Sequence, residues 1–130
     1  MDARQPVVLI VDDEPAVMRL TRAVLRRAGF EVLVASSAIE AQAVCRDHAG
    51  PIDAALLDVT LPDLSGPELF VLLAQIRPEL GVVFMGGYPG DLVGESGLAG
   101  APFVQKPFNP GELVSRLREV LGARSGGLQL

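Results

Sequence analysis

The chain of 130 residues has one cysteine, no tryptophan and no long apolar run. A single cysteine excludes an internal disulfide, so the composition favours a reducing compartment. The apolar run that begins at Val7 is too short for a secretory signal core and leads directly into acids. No stretch approaches the roughly 20 apolar residues of a membrane span. We therefore expect a cytoplasmic protein with no membrane-embedded part.

An excess of positive charge is also missing. The formal net charge is -5, with 11 basic residues against 16 acidic ones. Nucleic-acid backbones and anionic lipids carry the same sign, so we expect neither a nucleic-acid partner nor a membrane partner. The hydrophobic fraction of 49% excludes a disordered chain, and the length is typical of one folded domain.

Five short apolar runs recur along the sequence. They lie at 7–11, 31–35, 53–57, 81–85 and 102–105. They are apolar almost throughout instead of alternating with polar residues, which is typical of parallel strands covered on both faces. We predict that these five runs are the strands of one sheet.

Helical spacing fills the segments between the runs. The first predicted helix ends at Gly29 and buries a stripe formed by Val17, Leu20, Val24 and Ala28. A weaker stripe consists of Ala38, Ala41, Val44 and Cys45. The clearest stripe consists of Leu69, Leu72, Leu73 and Ile76, between Pro67 and Pro78.

Two further helices complete the pattern. Six glycines between 86 and 100 predict only a short, weakly held helix at 91–96. The last helix should begin at the cap residue Asn109, with Pro110 and Glu112 in its first turn. We place its end at Gly122, which gives one domain over 1–122 and a flexible tail over 123–130. Five alternations of strand and helix predict an α/β doubly wound parallel sheet with right-handed crossovers.

Charged residues follow three of the predicted strands. Asp12 and Asp13 follow the first, Asp58 follows the third and Lys106 follows the fifth. The carboxyl ends of these strands meet at one edge of such a sheet. Three acids in one cleft repel each other unless a cation joins them, and an all-oxygen shell suits Mg²⁺ or Mn²⁺.

Phosphoryl transfer is the chemistry that such a site supports. Asp58 is the natural nucleophile because Asp12 and Asp13 would hold the metal, while Lys106 neutralises charge on the phosphoryl oxygens. Alone, two acids after a strand are more often helix-capping residues than ligands. Asp58 is harder to explain in that way, because an acid that ends a buried strand costs free energy unless it is paired.

Four blocks of sequence resemble those of response-regulator receiver domains. They are VLIVDDEP, ALLDVTLPDLSGPELF, VVFMGGYPGD and FVQKPF, and the likeness extends over residues 6–121. The resemblance implies a flavodoxin-like fold with strand order 2-1-3-4-5 and five helices. It also implies transfer of a phosphoryl group from a histidine kinase or histidine phosphotransfer protein, in a two-component phosphorelay, with no enzymatic activity beyond the domain's own phosphorylation and dephosphorylation.

The resemblance further assigns roles to individual residues. Asp12, Asp13, Asp58 and the backbone carbonyl of Thr60 would bind Mg²⁺, and Asp58 would be the phosphoacceptor. The phosphoryl group would contact Lys106 and the backbone of Gly86 and Gly87. Phe103 would be the switch aromatic, while Tyr88 and the Thr60 side chain would tune the access of water. The Lys106–Pro107 peptide bond is commonly cis in such domains.

One position departs from the family pattern. Receivers usually carry Ser or Thr where this chain has Gly86, so we expect phosphorylation to persist while its coupling to Phe103 weakens. A downstream protein partner would bind the face formed by the fourth helix, fifth strand and fifth helix. The domain is expected to be a monomer or weak dimer, either stand-alone or part of a larger protein.

Two other functions remain open from the sequence. Gly86 makes a receiver-like interaction module with phosphate-independent binding possible. A phosphatase of the haloacid dehalogenase type also uses an aspartate nucleophile with Mg²⁺. That class needs a second acid two residues after the nucleophile, where this chain has Thr60.

Overall fold

The structure, a computed structural model, describes residues 4–87 and 100–126. Its strands are β1 (Val7–Val11), β2 (Glu31–Ala35), β3 (Ala54–Asp58), β4 (Gly81–Gly86) and β5 (Phe103–Gln105). The helices in the described ranges are α1 (Pro15–Arg27), α2 (Ala38–Asp47), α3 (Gly66–Ile76) and α4 (Pro110–Gly126). All five predicted strands are confirmed with boundaries within one residue. The helix predicted at 91–96 lies outside the described residues.

The five strands form one parallel sheet in the order β2-β1-β3-β4-β5. This is the doubly wound order that we expected of a flavodoxin-like fold. Val11 at the end of β1 pairs with Leu57, and Asp58 at the end of β3 pairs with Met85. The carboxyl ends of β1, β3 and β4 therefore lie side by side.

Helices cover the sheet on both faces and create two apolar cores. Successive strand residues point to opposite faces, so Leu9 and Leu57 join one core while Ile10 and Leu56 join the other. The first core contains Leu69 and Leu73 of α3, and the second contains Leu25, Leu113 and Leu117 of α1 and α4. This double burial explains why the central strands β1 and β3 are apolar up to their carboxyl ends.

The buried face of α1 differs from the predicted stripe. Thr21 and Leu25 are buried, whereas Leu20 is 53% exposed. The Thr21 hydroxyl donates a hydrogen bond to the carbonyl of Val17 at 2.7 Å, so this polar side chain is satisfied within its own helix. The buried face of α1 therefore lies about one residue further along the chain than the apolar stripe predicted.

The last helix begins as predicted and ends later. The Asn109 side-chain oxygen accepts hydrogen bonds from the backbone N–H groups of Gly111 and Glu112. The helix continues past the predicted end at Gly122 to Gly126. Gly122 does not have the positive φ of a left-handed stop, which among described glycines occurs at Gly29 and Gly100. Among the described residues, no helix is long and apolar enough to cross a membrane.

The end of α3 is tied to the end of α2 by one arginine. Arg77 donates hydrogen bonds to the backbone carbonyls of Cys45, His48 and Gly50 at 2.7–3.0 Å. Helix carbonyls at a C-terminus lack partners within the helix. The guanidinium group supplies those partners and fixes the segment that leads into β3.

Candidate functional site

Lys106, Asp12 and Asp58 meet at the carboxyl edge of the sheet. The ammonium nitrogen Nζ lies 2.9 Å from Oδ2 of Asp12 and 3.0 Å from Oδ2 of Asp58. It also lies 3.1 Å from Oε1 of Glu14. The backbone N–H of Lys106 donates to the Gly86 carbonyl at 2.8 Å, and the Lys106–Pro107 peptide bond is cis, as expected. One cation therefore contacts three carboxylates.

The three acids that contact Lys106 differ in how deeply they are buried. Asp12 and Asp58 are 1% and 6% exposed, whereas the Glu14 side chain is 60% exposed. Burial raises the pKa of Asp58, against the opposing effects of the Lys106 ammonium and the Thr60 N–H. For Lys106, burial opposes the charge, but the carboxylates of Asp12, Asp58 and Glu14 outweigh it and raise the pKa above its ordinary value. Lys106 is therefore an ammonium at neutral pH.

The acids fit a divalent cation. Carboxylate oxygens of Asp12, Glu14 and Asp58 all lie within 4.8 Å of one another. Oδ1 of Asp12 accepts a hydrogen bond from the Glu14 N–H at 2.8 Å. Oδ2 of Asp12 is buried, and its partner among the described residues is Nζ of Lys106 at 2.9 Å. A buried carboxylate oxygen in an excess of negative charge is compatible with Mg²⁺, which prefers oxygen ligands.

The loop after β3 folds back against the site. The Thr60 N–H donates to Oδ1 of Asp58 at 3.1 Å, and Thr60 forms a bridge with Ser65. The N–H of Gly66 donates to the Val59 carbonyl at 2.7 Å. A Cβ atom on Gly66 would overlap the carbonyl oxygen of Asp58. Glycine at 66 therefore permits α3 to begin in contact with the backbone of Asp58.

Gly86 ends β4 beside the ring of Phe103. A Cβ atom at Gly86 would lie 3.4 Å from Cγ2 of Val59 and 3.7 Å from Cζ of Phe103. The half-buried Phe103 ring packs against the core on the α2 and α3 side of the sheet. The ring therefore lies close to the volume that a side chain at position 86 would use.

Comparison with known proteins decides the family. Residues 8–118 match the response regulator receiver domain family. The chain belongs to this family. The match covers β1 to most of α4, so the fold and the site lie within it.

Relatives of this receiver domain occur in several larger proteins. It is 38% identical to the transcriptional regulatory protein AruR of Pseudomonas aeruginosa, covering 92% of the receiver and 50% of AruR. It is 32% identical to the sensor kinase CckA of Brucella abortus, covering 88% of the receiver and 12% of CckA. The receiver thus spans half or less of these two curated relatives. Because AruR is described as a transcriptional regulator, the absence of a nucleic-acid partner stays a prediction here.

Solved receivers share the same fold. The response regulator receiver domain protein from Methanospirillum hungatei superposes with a TM-score of 0.82 at 30% identity, covering 95% of this chain and 98% of that one. The receiver domain of the hybrid histidine kinase CckA gives a TM-score of 0.75 at 31% identity, covering 88% and 98%.

The receiver brings most of the predicted site residues into one cleft. An open cavity of about 340 Å³ is lined by Asp13, Glu14, Asp58, Thr60, Gly86, Gly87 and Lys106. Asp13 lines this cavity but is exposed. The group of carboxylates within 4.8 Å of one another contains Glu14 and not Asp13. The sequence reasoning missed Glu14, although it directly follows the two aspartates. Tyr88 lies outside the described residues.

Proposed function

We propose that this receiver accepts a phosphoryl group on Asp58 from a phosphohistidine, using Mg²⁺. The observation that carries the proposal is the contact of one half-buried lysine with Asp12 and Asp58 at the ends of two neighbouring strands. The three clustered carboxylates of Asp12, Glu14 and Asp58 outnumber the one ammonium that contacts them, which supports a second cation beside them. The donor would be a histidine kinase or a histidine phosphotransfer protein, as the family implies.

The chain's own residues would prepare the nucleophile. The Thr60 N–H and the Lys106 ammonium hold the two oxygens of Asp58. One Asp58 oxygen attacks phosphorus, the P–N bond to the donor histidine breaks, and the released ring nitrogen takes up a proton from solvent, so that the donor leaves as a neutral imidazole. Lys106 then turns from the carboxylate to the new phosphoryl oxygens, and Gly86 and Gly87 line the same cleft.

The residues that would hold the cation are Asp12, Asp13, Asp58 and the Thr60 carbonyl. Bound Mg²⁺ would neutralise charge on the phosphoryl oxygens during transfer. Asp12 is fully buried and is held through Oδ1 by the Glu14 N–H, so its position is fixed before the cation arrives. The exposed Glu14 carboxylate adds negative charge at the entrance and shares Lys106 with the two aspartates.

The outer face of α1 would receive the phosphodonor protein. Arg19, Arg22 and Arg26 are exposed on this helix, and the exposed Leu20 lies among them. Such a face suits an acidic helix surface that also presents an apolar residue. A downstream partner would bind on the β5 side, next to Phe103.

Phosphorylation is tested directly by mass. Wild-type protein incubated with a small acyl phosphate donor and Mg²⁺ should gain one phosphoryl group, and borohydride reduction should convert Asp58 to an alcohol. Asp58→Asn should gain nothing, and a chelator should abolish the gain in the wild type. An equal gain in Asp58→Asn, or no gain in the wild type with Mg²⁺ present, would refute the proposal.

The packing of Phe103 against Gly86 favours a second candidate function. Because no side chain stands at position 86, the ring already lies against the strand end before any phosphoryl group is bound. The receiver would then present its β5 surface to a partner independently of phosphate. NMR of Phe103 with and without beryllofluoride separates the two functions, since a phosphate-independent module would show the same ring environment in both states.

A further inference from the structure

The loop between β3 and α3, residues 59–65, carries the Thr60 carbonyl of the proposed cation site. Its base is held by contacts of its own. The Thr60 N–H donates to Asp58, the Gly66 N–H donates to the Val59 carbonyl, and Thr60 bridges to Ser65. These hydrogen bonds close the neck of the loop, and Leu61 and Leu64 pack on the apolar core that contains Leu69 and Leu73 of α3, but none of these contacts involves the Asp63 carboxylate.

A different element supports the tip. Oδ1 of Asp63 accepts a hydrogen bond from the Ala38 N–H at 2.9 Å, and Oδ2 accepts one from the Ile39 N–H at 3.0 Å. Ala38 and Ile39 are the first two residues of α2. The two backbone donors, Ala38 first, lower the pKa of the Asp63 carboxyl. Asp63 is therefore ionised at neutral pH and binds the start of a helix 24 or more residues away in sequence.

Helix α2 also has a cap of its own. Ser37 precedes the helix, and its hydroxyl oxygen accepts a hydrogen bond from the Glu40 N–H at 3.2 Å. The unpaired donors of the first turn are thus divided between two sources, one local and one in the site loop. The Ser37 contact stabilises only the helix, whereas the Asp63 contacts also join the helix to the loop.

We propose that Asp63 is a positioning residue for the cation and phosphoryl site. By fixing the loop tip to α2, it holds the Thr60 carbonyl and the Asp58 carboxylate in the arrangement that binds Mg²⁺. The inference rests on the proposed function, because it gives Asp63 a role in that same site. Coupling is reciprocal, so Mg²⁺ binding should also protect the first turn of α2 from opening.

Asp63 and Ser37 provide a matched pair of variants. Asp63→Ala should weaken Mg²⁺ binding, measured by calorimetry, by roughly 3- to 10-fold, near the lower end of the effect of outer contacts on metal affinity. Ser37→Ala should change Mg²⁺ affinity less than twofold, although both variants weaken the α2 cap. Asp63→Asn keeps one acceptor oxygen and should fall between the wild type and Asp63→Ala.

Amide hydrogen exchange supplies a second readout. In the wild type, Mg²⁺ should slow exchange at Ala38 and Ile39, and in Asp63→Ala this slowing should be lost. Equal Mg²⁺ affinities in Asp63→Ala and Ser37→Ala would overturn the proposal, because Asp63 would then be only a helix cap. A loss of Mg²⁺ affinity in Asp63→Ala that disappears at high salt would also overturn the proposal, since that result indicates a screened charge effect and not positioning. A wild type that binds no Mg²⁺ would instead refute the proposed function itself.

Discussion

Gly86→Ala should stabilise this receiver, although glycine stands at the edge of its site. Gly86 does not have a positive φ, so alanine can adopt its backbone conformation. The new methyl group would contact Val59 at 3.4 Å and Phe103 at 3.7 Å, which are ordinary packing distances. Removing glycine's chain entropy is worth roughly 0.5–1 kcal/mol and burying a methyl group about 0.8 kcal/mol. Allowing for the close Val59 contact, we expect a net gain of about 1 kcal/mol.

Gly86→Thr should behave differently in the unphosphorylated protein. Threonine adds a methyl and a hydroxyl group to a Cβ position that already lies 3.4 Å from Val59 and 3.7 Å from the Phe103 ring, so with the hydroxyl in the cleft its methyl group crowds these neighbours. Overpacking of this kind costs roughly 1–3 kcal/mol. The hydroxyl group then gains a partner only when a phosphoryl group occupies the cleft, so the threonine variant should couple Phe103 to that group more strongly than glycine does.

Urea unfolding and NMR test the two substitutions together. With a urea slope of roughly 2 kcal/mol per M, the alanine variant should unfold at about 0.5 M higher urea than the wild type. On addition of beryllofluoride, the Phe103 resonances should shift more in Gly86→Thr than in the wild type or in Gly86→Ala. An alanine variant that unfolds at a lower urea concentration than the wild type would show that there is too little space beside Gly86 for a methyl group. An unchanged Phe103 response in the threonine variant would refute the link between this position and the aromatic ring.

Two further substitutions test the scaffold and the charge cluster. Arg77→Ala should destabilise the domain by about 2 kcal/mol in urea, because three backbone carbonyls lose a charged donor; a change below about 0.5 kcal/mol would contradict a stabilising role for this contact. Lys106→Met should lower the stability of the metal-free protein at pH 7 by roughly 1–3 kcal/mol, because Asp12 and Asp58 lose their cation. Its absence should raise the pKa of Asp58 further, so the folded state binds protons more tightly than the unfolded chain. The deficit of Lys106→Met relative to the wild type should therefore shrink as pH falls from the pKa of Asp58 in the variant to its lower pKa in the wild type, and a deficit that is constant with pH would contradict this reasoning.

The sheet was predictable because the burial of its strands produces short apolar runs that are visible in the sequence. The central strands β1 and β3 are buried along their whole length, and β1 appears in the sequence as the unbroken apolar run at 7–11. For β1, β3 and β5, the strand end lies at or directly before the first charged residue after the run. Parallel strands then bring Asp12, Asp58 and Lys106 to one edge, so their proximity follows from topology alone.

Features that depend on packing across the chain were harder to predict. Glu14 contacts Lys106 across 92 residues of sequence, and nothing local distinguishes it from a solvated acid after a strand. Thr21 is buried because its hydroxyl is satisfied inside α1, which an apolar pattern does not record. Asp63 lies in an exposed loop, and its bonds to α2 become visible only when the two elements are placed together.

The close approach at Gly66 limits how movement can spread from the phosphoacceptor. Since no carbon atom fits between this residue and the Asp58 carbonyl, a shift of β3 toward α3 must carry the start of α3 with it. The capping box of Ser65 and Glu68 keeps the first turn of α3 intact during such a shift. Beside Gly86, by contrast, there is space for one methyl group next to Phe103. A structural change at the phosphoacceptor should therefore extend more easily toward β5, at the edge of the sheet, than toward α3.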